Sequence, residues 1–198
     1  MSETLTSQFE FIKHAQSLKN IERAVQAGGE RNENSAEHSW SVALLLWTLE
    51  HDFEDEFGTK LDSERMMKMA LMHDLVEIET GDVSVWDGKK RTQTERNEGE
   101  IFVTLTEKLP HSFQSELSDL WTELQKGKTM ESRLVHGVDR LSGAIQRLVT
   151  GQGWVNEGHG ESDLDDIQLE KISCSRVLTD IYTMIKREAK EKDLLRED

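Results

Sequence analysis

One cysteine, one proline and no long apolar run set the first limits on this 198-residue chain. The lone thiol, Cys174, has no partner for an internal disulfide and suits a reducing, cytoplasmic setting. With a single proline, the strongest helix breaker is almost missing. No stretch approaches the roughly 18 apolar residues of a membrane-spanning helix, so no membrane partner is expected. Met1-Ser2-Glu3-Thr4 shows no basic region leading into an apolar one, so no signal peptide is expected. Positive charge is also scarce. Lys and Arg number 24 against 39 Asp and Glu, a formal charge of −15. The densest basic run, Lys89-Lys90-Arg91, is too short to hold a polyanion against that field. Polymeric nucleic acid is therefore not an expected partner, whereas a small anion in a locally positive pocket remains compatible.

What is present reads as helix. Phe9, Ile12, Ala15 and Leu18 recur near helical spacing over 5–22. Residues 27–34, with Gly28-Gly29, read as a loop. Ser35 is a candidate cap for a second helix with Trp40, Ala43, Leu44 and Trp47 on its apolar face. Ser63 is a candidate cap for a third, with Met66, Met67, Ala70, Leu71 and Leu75 inward. An ordered loop is expected over 80–91 and further helices over 92–108, 112–126 and 130–149. The glycine-rich stretch 151–160 reads as a flexible loop and 166–192 as a last helix, with Val177, Leu178, Ile181, Met184 and Ile185 on one face. No strand pattern is visible. The expectation is an all-α fold of six to eight helices, one domain over 1–198. Its core would span about 18–150, with a loop and helix over 151–198.

The chemistry concentrates at His73-Asp74, a polar doublet in the otherwise apolar stretch Met69-Ala70-Leu71-Met72-His73-Asp74-Leu75-Val76. Adjacent helical residues point about 100° apart, so both reach one ion only at a helix edge or end. The doublet lies just before the Thr80-Gly81 break. A buried carboxylate there is costly unless a cation partners it. His38 stands upstream, and Asp139 lies downstream beside the stripe Leu134, Val138, Leu141, Ile145 and Leu148. Alone, Asp139 would read as a partner of Arg133 or Arg140 on a solvated face. Two imidazoles and two carboxylates suit one divalent ion of the Zn, Mn, Co, Fe or Ni kind, with positions left for water and substrate. Glu77 shares the helix face of His73 and Asp74 and could orient a water or move a proton, and Asp82 is a second candidate. His111, after Pro110, is expected to be exposed, which favours one metal over two.

These residues resemble the H…HD…D signature of the HD-domain metal phosphohydrolases. Arg31-Asn32-Glu33-Asn34-Ser35-Ala36-Glu37-His38-Ser39 and His73-Asp74-Leu75-Val76-Glu77-Ile78-Glu79-Thr80-Gly81-Asp82 are similar to segments of the bacterial 5′-deoxynucleotidase and HD domain-containing protein 2 branch. The similarity runs from about Leu18 to Ile145. It implies hydrolysis of nucleoside 5′-monophosphates to nucleoside and phosphate, and a homodimer. By position, His38, His73, Asp74 and Asp139 would hold one divalent metal, Mg included. Glu77 and Asp82 would be catalytic, and Arg23 would meet the phosphate. The branch has a tryptophan after that arginine, walling off a ribose 2′-hydroxyl. Here the position is Ala24, so selectivity for deoxyribose is not implied. Trp86 is a candidate ring from elsewhere. Cyclic nucleotides or nucleoside triphosphates are alternative substrates, and a non-catalytic, metal-containing nucleotide-binding module is an alternative role.

Overall fold

The structure, a computed structural model, describes residues 2–84 and 86–196, with the side chains of 88–96 outside that description. The basic run Lys89-Lys90-Arg91 falls among those side chains. The fold is all-α, as expected, apart from one short hairpin. The helices are α1 (Glu3–Ala15), α2 (Ser35–Phe57), α3 (Ser63–Met72), the single turn α4 (Glu77–Thr80), α5 (Gly88–Thr106), α6 (His111–Lys126), α7 (Met130–Thr150), α8 (Glu161–Ile172) and α9 (Arg176–Glu191). Short 3₁₀ turns occupy Gln16–Asn20 and Trp154–Glu157.

Helix α7 is the central element. Leu134, Val138, Leu141 and Leu148 bury the expected stripe, Thr129 caps its start by accepting from the Ser132 N–H (3.2 Å), and Gly151 ends it with φ 71°. It packs against α2, α3, α6, α8, α9 and the hairpin. Gly137 is where α9 comes closest, because a methyl group there would collide with the Leu178 side chain. Helix α2 carries an Asn34–Glu37 capping box. The Asn34 side chain accepts from the Glu37 N–H (3.0 Å), and Glu37 accepts from the Asn34 N–H (3.2 Å). The cap is thus Asn34, not Ser35. Likewise Asp62, not Ser63, caps α3.

Three other expectations are corrected. The first helix stops at Ala15, and residues expected to be helix or loop instead form an antiparallel hairpin, β1 (Glu22–Gly28) with β2 (Arg31–Asn34). Gly28 and Gly29 supply the positive φ of the turn. The open edge of β1 is satisfied by distant amides. Gln152 Oε1 accepts from the Gln26 N–H (2.9 Å), and Gln146 Nε2 donates to Gln26 O (2.9 Å). No local pattern reports that pairing.

On α2, Val42, Leu46 and Phe53 face inward, while Trp40, Leu44 and Trp47 are exposed, and on α3 Leu71 is exposed while Met69 and Met72 are buried. Helix α2 has two apolar faces, and the one that carries His38 is turned in.

The last expected helix is two, broken at Ser173–Ser175. Ser175 caps α9, and the Glu56 carboxylate accepts from Ser175 Oγ (2.6 Å) and the Val177 N–H (3.2 Å). Helix α9 buries Leu178, Tyr182 and Ile185 on its own chain and leaves Met184 exposed. Residues 151–160 fold around a 3₁₀ turn, with Trp154 3% exposed and Glu157 bonded to Arg147 Nη2 (2.8 Å).

Candidate metal centre and substrate cavity

Helix α2, the C-terminal end of α3 and the middle of α7 bring the expected residues together. His38 sits in the first turn of α2 and is fully buried. His73 caps the C-terminal end of α3 and Asp74 follows it, so the doublet lies at a helix end, as two divergent side chains require. Asp139 projects from α7.

His38 Nε2 lies 2.8 Å from Asp139 Oδ1, and His73 Nε2 lies 3.2 Å from Asp74 Oδ1 and 4.0 Å from Asp139 Oδ1. One ligand atom from each of His38, His73 and Asp74 falls within 4.8 Å of the other two, and Asp139 joins through its contacts with the two imidazoles. His73 Nδ1–H donates to the Ala70 carbonyl (2.8 Å), leaving a lone pair on Nε2, a buried atom with no hydrogen-bond partner. A divalent cation fits this set: neutral imidazole nitrogens and carboxylate oxygens converge, one imidazole already oriented from behind. Asp139's hydrogen bond is to His38, and of the two arginines expected beside it Arg140 contributes through its charge. His111 is exposed and plays no part.

The electrostatics show how dense the site is. Burial pushes Asp74 up to about 8, with Asp139 and Asp82 adding repulsion against the pull of Arg23. Burial and Asp74 push Glu77 up to about 8. Burial also pushes Asp139 up, but the His38 hydrogen bond and the imidazole charges outweigh it and hold the carboxyl well below its usual range. Burial, then Arg23, lowers His38 to about 4.

Glu77 opens α4, and its Oε2 accepts from Ser35 Oγ (2.6 Å). Asp82 follows Gly81, whose φ of 73° turns the chain back toward the site. Arg23, from β1, lies between carboxylates: Nη1 is 3.4 Å from Asp74 Oδ2 and 3.3 Å from Asp82 Oδ1, and Nε is 3.4 Å from Glu33 Oε2. The sequence reading gave Glu33 no role. The one signal was an acidic residue five positions before His38.

A cavity of about 460 Å³ opens from this centre. Arg23, Asp74, Glu77, Asp82 and Asp139 line the near end, and Trp154, Arg147 and Gln168 line it further along. Ala24 is exposed at its rim. Trp86 lines a wall and stacks on His159 with centroids 3.6 Å apart, joining the loop after Asp82 to the 151–160 segment. Trp86 is therefore a ring of the cavity.

Known proteins resemble this chain in sequence and in fold. A human 5′-deoxynucleotidase, HDDC2, is 25% identical over 142 residues, 71% of this chain and 66% of the relative, so the chain spans just under two thirds of that protein's length. A 5′-deoxynucleotidase from Klebsiella pneumoniae is 28% identical over 173 residues, 86% of this chain and 85% of that one. The crystal structure of a predicted metal-dependent phosphohydrolase from Magnetospirillum magnetotacticum superposes with a TM-score of 0.84 at 29% identity, covering 99% of this chain and 100% of that one. The HD domain family model matches residues 15–176, from the end of α1 to the start of α9, and the chain belongs to the HD-domain family.

Proposed function

We propose that this chain is a metal-dependent phosphomonoesterase that hydrolyses nucleoside 5′-monophosphates to nucleoside and phosphate. The observation that carries the reading is the convergence of His38, His73, Asp74 and Asp139 at the head of an open cavity that also holds Arg23, Glu77 and Asp82. The deoxynucleotidase relatives support the substrate class.

The four converging residues would hold one divalent ion. When bound, the ion would supply Lewis acidity, making a water a better nucleophile and polarising the phosphoryl group. The chain's own residues do the rest. Arg23 presents a guanidinium to the phosphate oxygens and offsets charge that grows as water attacks phosphorus and the P–O5′ bond breaks. Glu77, raised toward neutrality, takes and returns the proton that must pass from the water to the leaving O5′. Asp82 holds Arg23 in place at 3.3 Å.

The cavity supports a substrate longer than a bare phosphate. About 12 Å of helix separates Asp139 from Arg147 on the same wall. Between them Gly143 and Ala144 leave room for a sugar, and Trp86 offers a base the ring face not stacked on His159.

A panel of ribo- and deoxynucleoside monophosphates, assayed with Mn²⁺, Co²⁺, Mg²⁺ and Zn²⁺, tests the reading. Phosphate release should fall more than about 100-fold in Asp74→Ala and Asp139→Ala, since removing only a group behind a ligand already costs about 10- to 100-fold. No release from any monophosphate sinks the proposal. Release confined to di- or triphosphates or cyclic nucleotides moves it to those substrates.

We also infer a single folding unit over 1–198, because Leu164, Ile172 and Leu178 share one buried cluster with Val42 and Leu46. A homodimer is supported by Trp40, Leu44 and Trp47, which form an exposed apolar stripe on α2. Among the described residues no helix is long and apolar enough to cross a membrane. The single cysteine supports a cytoplasmic setting.

A further inference from the structure

Glu33 takes no part in the chemistry assigned above, yet at 3% exposure it is the least exposed acidic residue among those described. Leaving a carboxylate that deep without partners is strongly unfavourable. Its Oε2 lies 3.4 Å from Arg23 Nε and 3.8 Å from His38 Nδ1. All three atoms are buried and have no hydrogen-bond partner. One acceptor thus faces two donor positions across gaps that a small side-chain shift closes. Beta-strand β2 holds Glu33 there, with its side chain turned in and the capping residue Asn34 next in line.

The two nitrogens of an imidazole are linked. A proton on Nδ1 leaves a lone pair on Nε2. His38 Nε2 lies 2.8 Å from Asp139 Oδ1, a hydrogen bond made by a proton on Nε2 that ligation of a cation through Nε2 would replace. A carboxylate that accepts from Nδ1–H therefore selects the tautomer able to ligate and raises its basicity. His73 has the same arrangement by other means, its Nδ1–H bonded to the Ala70 carbonyl.

We propose that Glu33 is a positioning residue that holds His38 as the Nδ1–H tautomer, with Arg23 Nε sharing the same carboxylate oxygen. The proposal rests on His38 being a metal ligand.

Zn²⁺ titration of metal-free wild type, Glu33→Gln and Glu33→Leu, read by calorimetry, tests it. Glu33→Leu, which has no acceptor, should bind Zn²⁺ about 10- to 100-fold more weakly. Glu33→Gln, which keeps an acceptor oxygen without the charge, should lose less. A Glu33→Leu affinity less than about tenfold weaker overturns the proposal. Nitrogen NMR of Zn²⁺-loaded wild type gives a second reading that needs no variant to fold. A His38 Nδ1–H with the downfield proton shift of a hydrogen bond to a carboxylate supports the proposal, and an Nδ1–H without that shift, or a proton on Nε2, overturns it. Wild type that binds no Zn²⁺ overturns the metal-centre reading itself, an outcome distinct from a silent Glu33.

Discussion

Ala24 sets how wide the cavity mouth is beside Arg23. It is exposed at the rim, next to a guanidinium held among Glu33, Asp74 and Asp82. A methyl side chain there leaves space where a large ring would meet a ribose 2′-hydroxyl. Wild type should therefore turn over ribo- and deoxynucleotides of the same base at similar kcat/KM. Ala24→Trp should lower the ribo-to-deoxy ratio about tenfold or more, measured on AMP and dAMP, and an unchanged ratio removes the role. At this scale the sequence was readable where a residue broke its surroundings. His73-Asp74 interrupts an apolar helix, and the cost of burying that charge pointed to a cation. Glu33 breaks no pattern, since an acidic residue in an acidic segment looks solvated until the fold encloses it.

Two contacts of helix α7, a close approach to α9 and a part-buried hydrogen bond to α6, make specific predictions. At Gly137 a Cβ would strike Leu178 and crowd the Lys171 carbonyl at 3.3 Å. Gly137→Ala should destabilise the fold by about 1–3 kcal/mol through overpacking, seen as a lower urea midpoint at unchanged slope. One residue earlier, His136 Nε2–H donates to the Leu124 carbonyl (2.8 Å) near the end of α6, and burial pushes its pKa down. A folded value below the unfolded value of about 6.5 means that the unfolded chain takes the proton first as pH falls. The stability from neutral His136 is thus full above about 6.5 and is lost below it. Glutamine keeps a donor and does not titrate. Between about pH 7.5 and 5.5 wild type should lose more urea stability than His136→Gln, and parallel losses dismiss the histidine as a cause. Most helix positions were legible, α6 and α7 nearly to the residue, because capping and periodicity are local. The break between α8 and α9 was not, because the carboxylate that completes the α9 cap is Glu56, far away on α2.

On the whole molecule, the exposed stripe of Trp40, Leu44 and Trp47 is an apolar surface that a second copy would bury. Sedimentation at micromolar concentration should show a dimer for wild type and a shift to monomer for Trp47→Glu. A monomeric wild type dismisses the dimer.

Composition and short-range pattern determined the all-helical class and set His73-Asp74 apart, while His38 and Asp139 joined that doublet only through the family resemblance. The first two follow from helical period and the cost of burying polar groups, both of which neighbouring residues express. The tertiary structure decided which apolar face of α2 turned inward, that 22–34 became a hairpin bonded to Gln146 and Gln152, and that Glu33 came to lie between His38 and Arg23. Each of those outcomes depends on partners distant in the chain, so no local window could contain its cause.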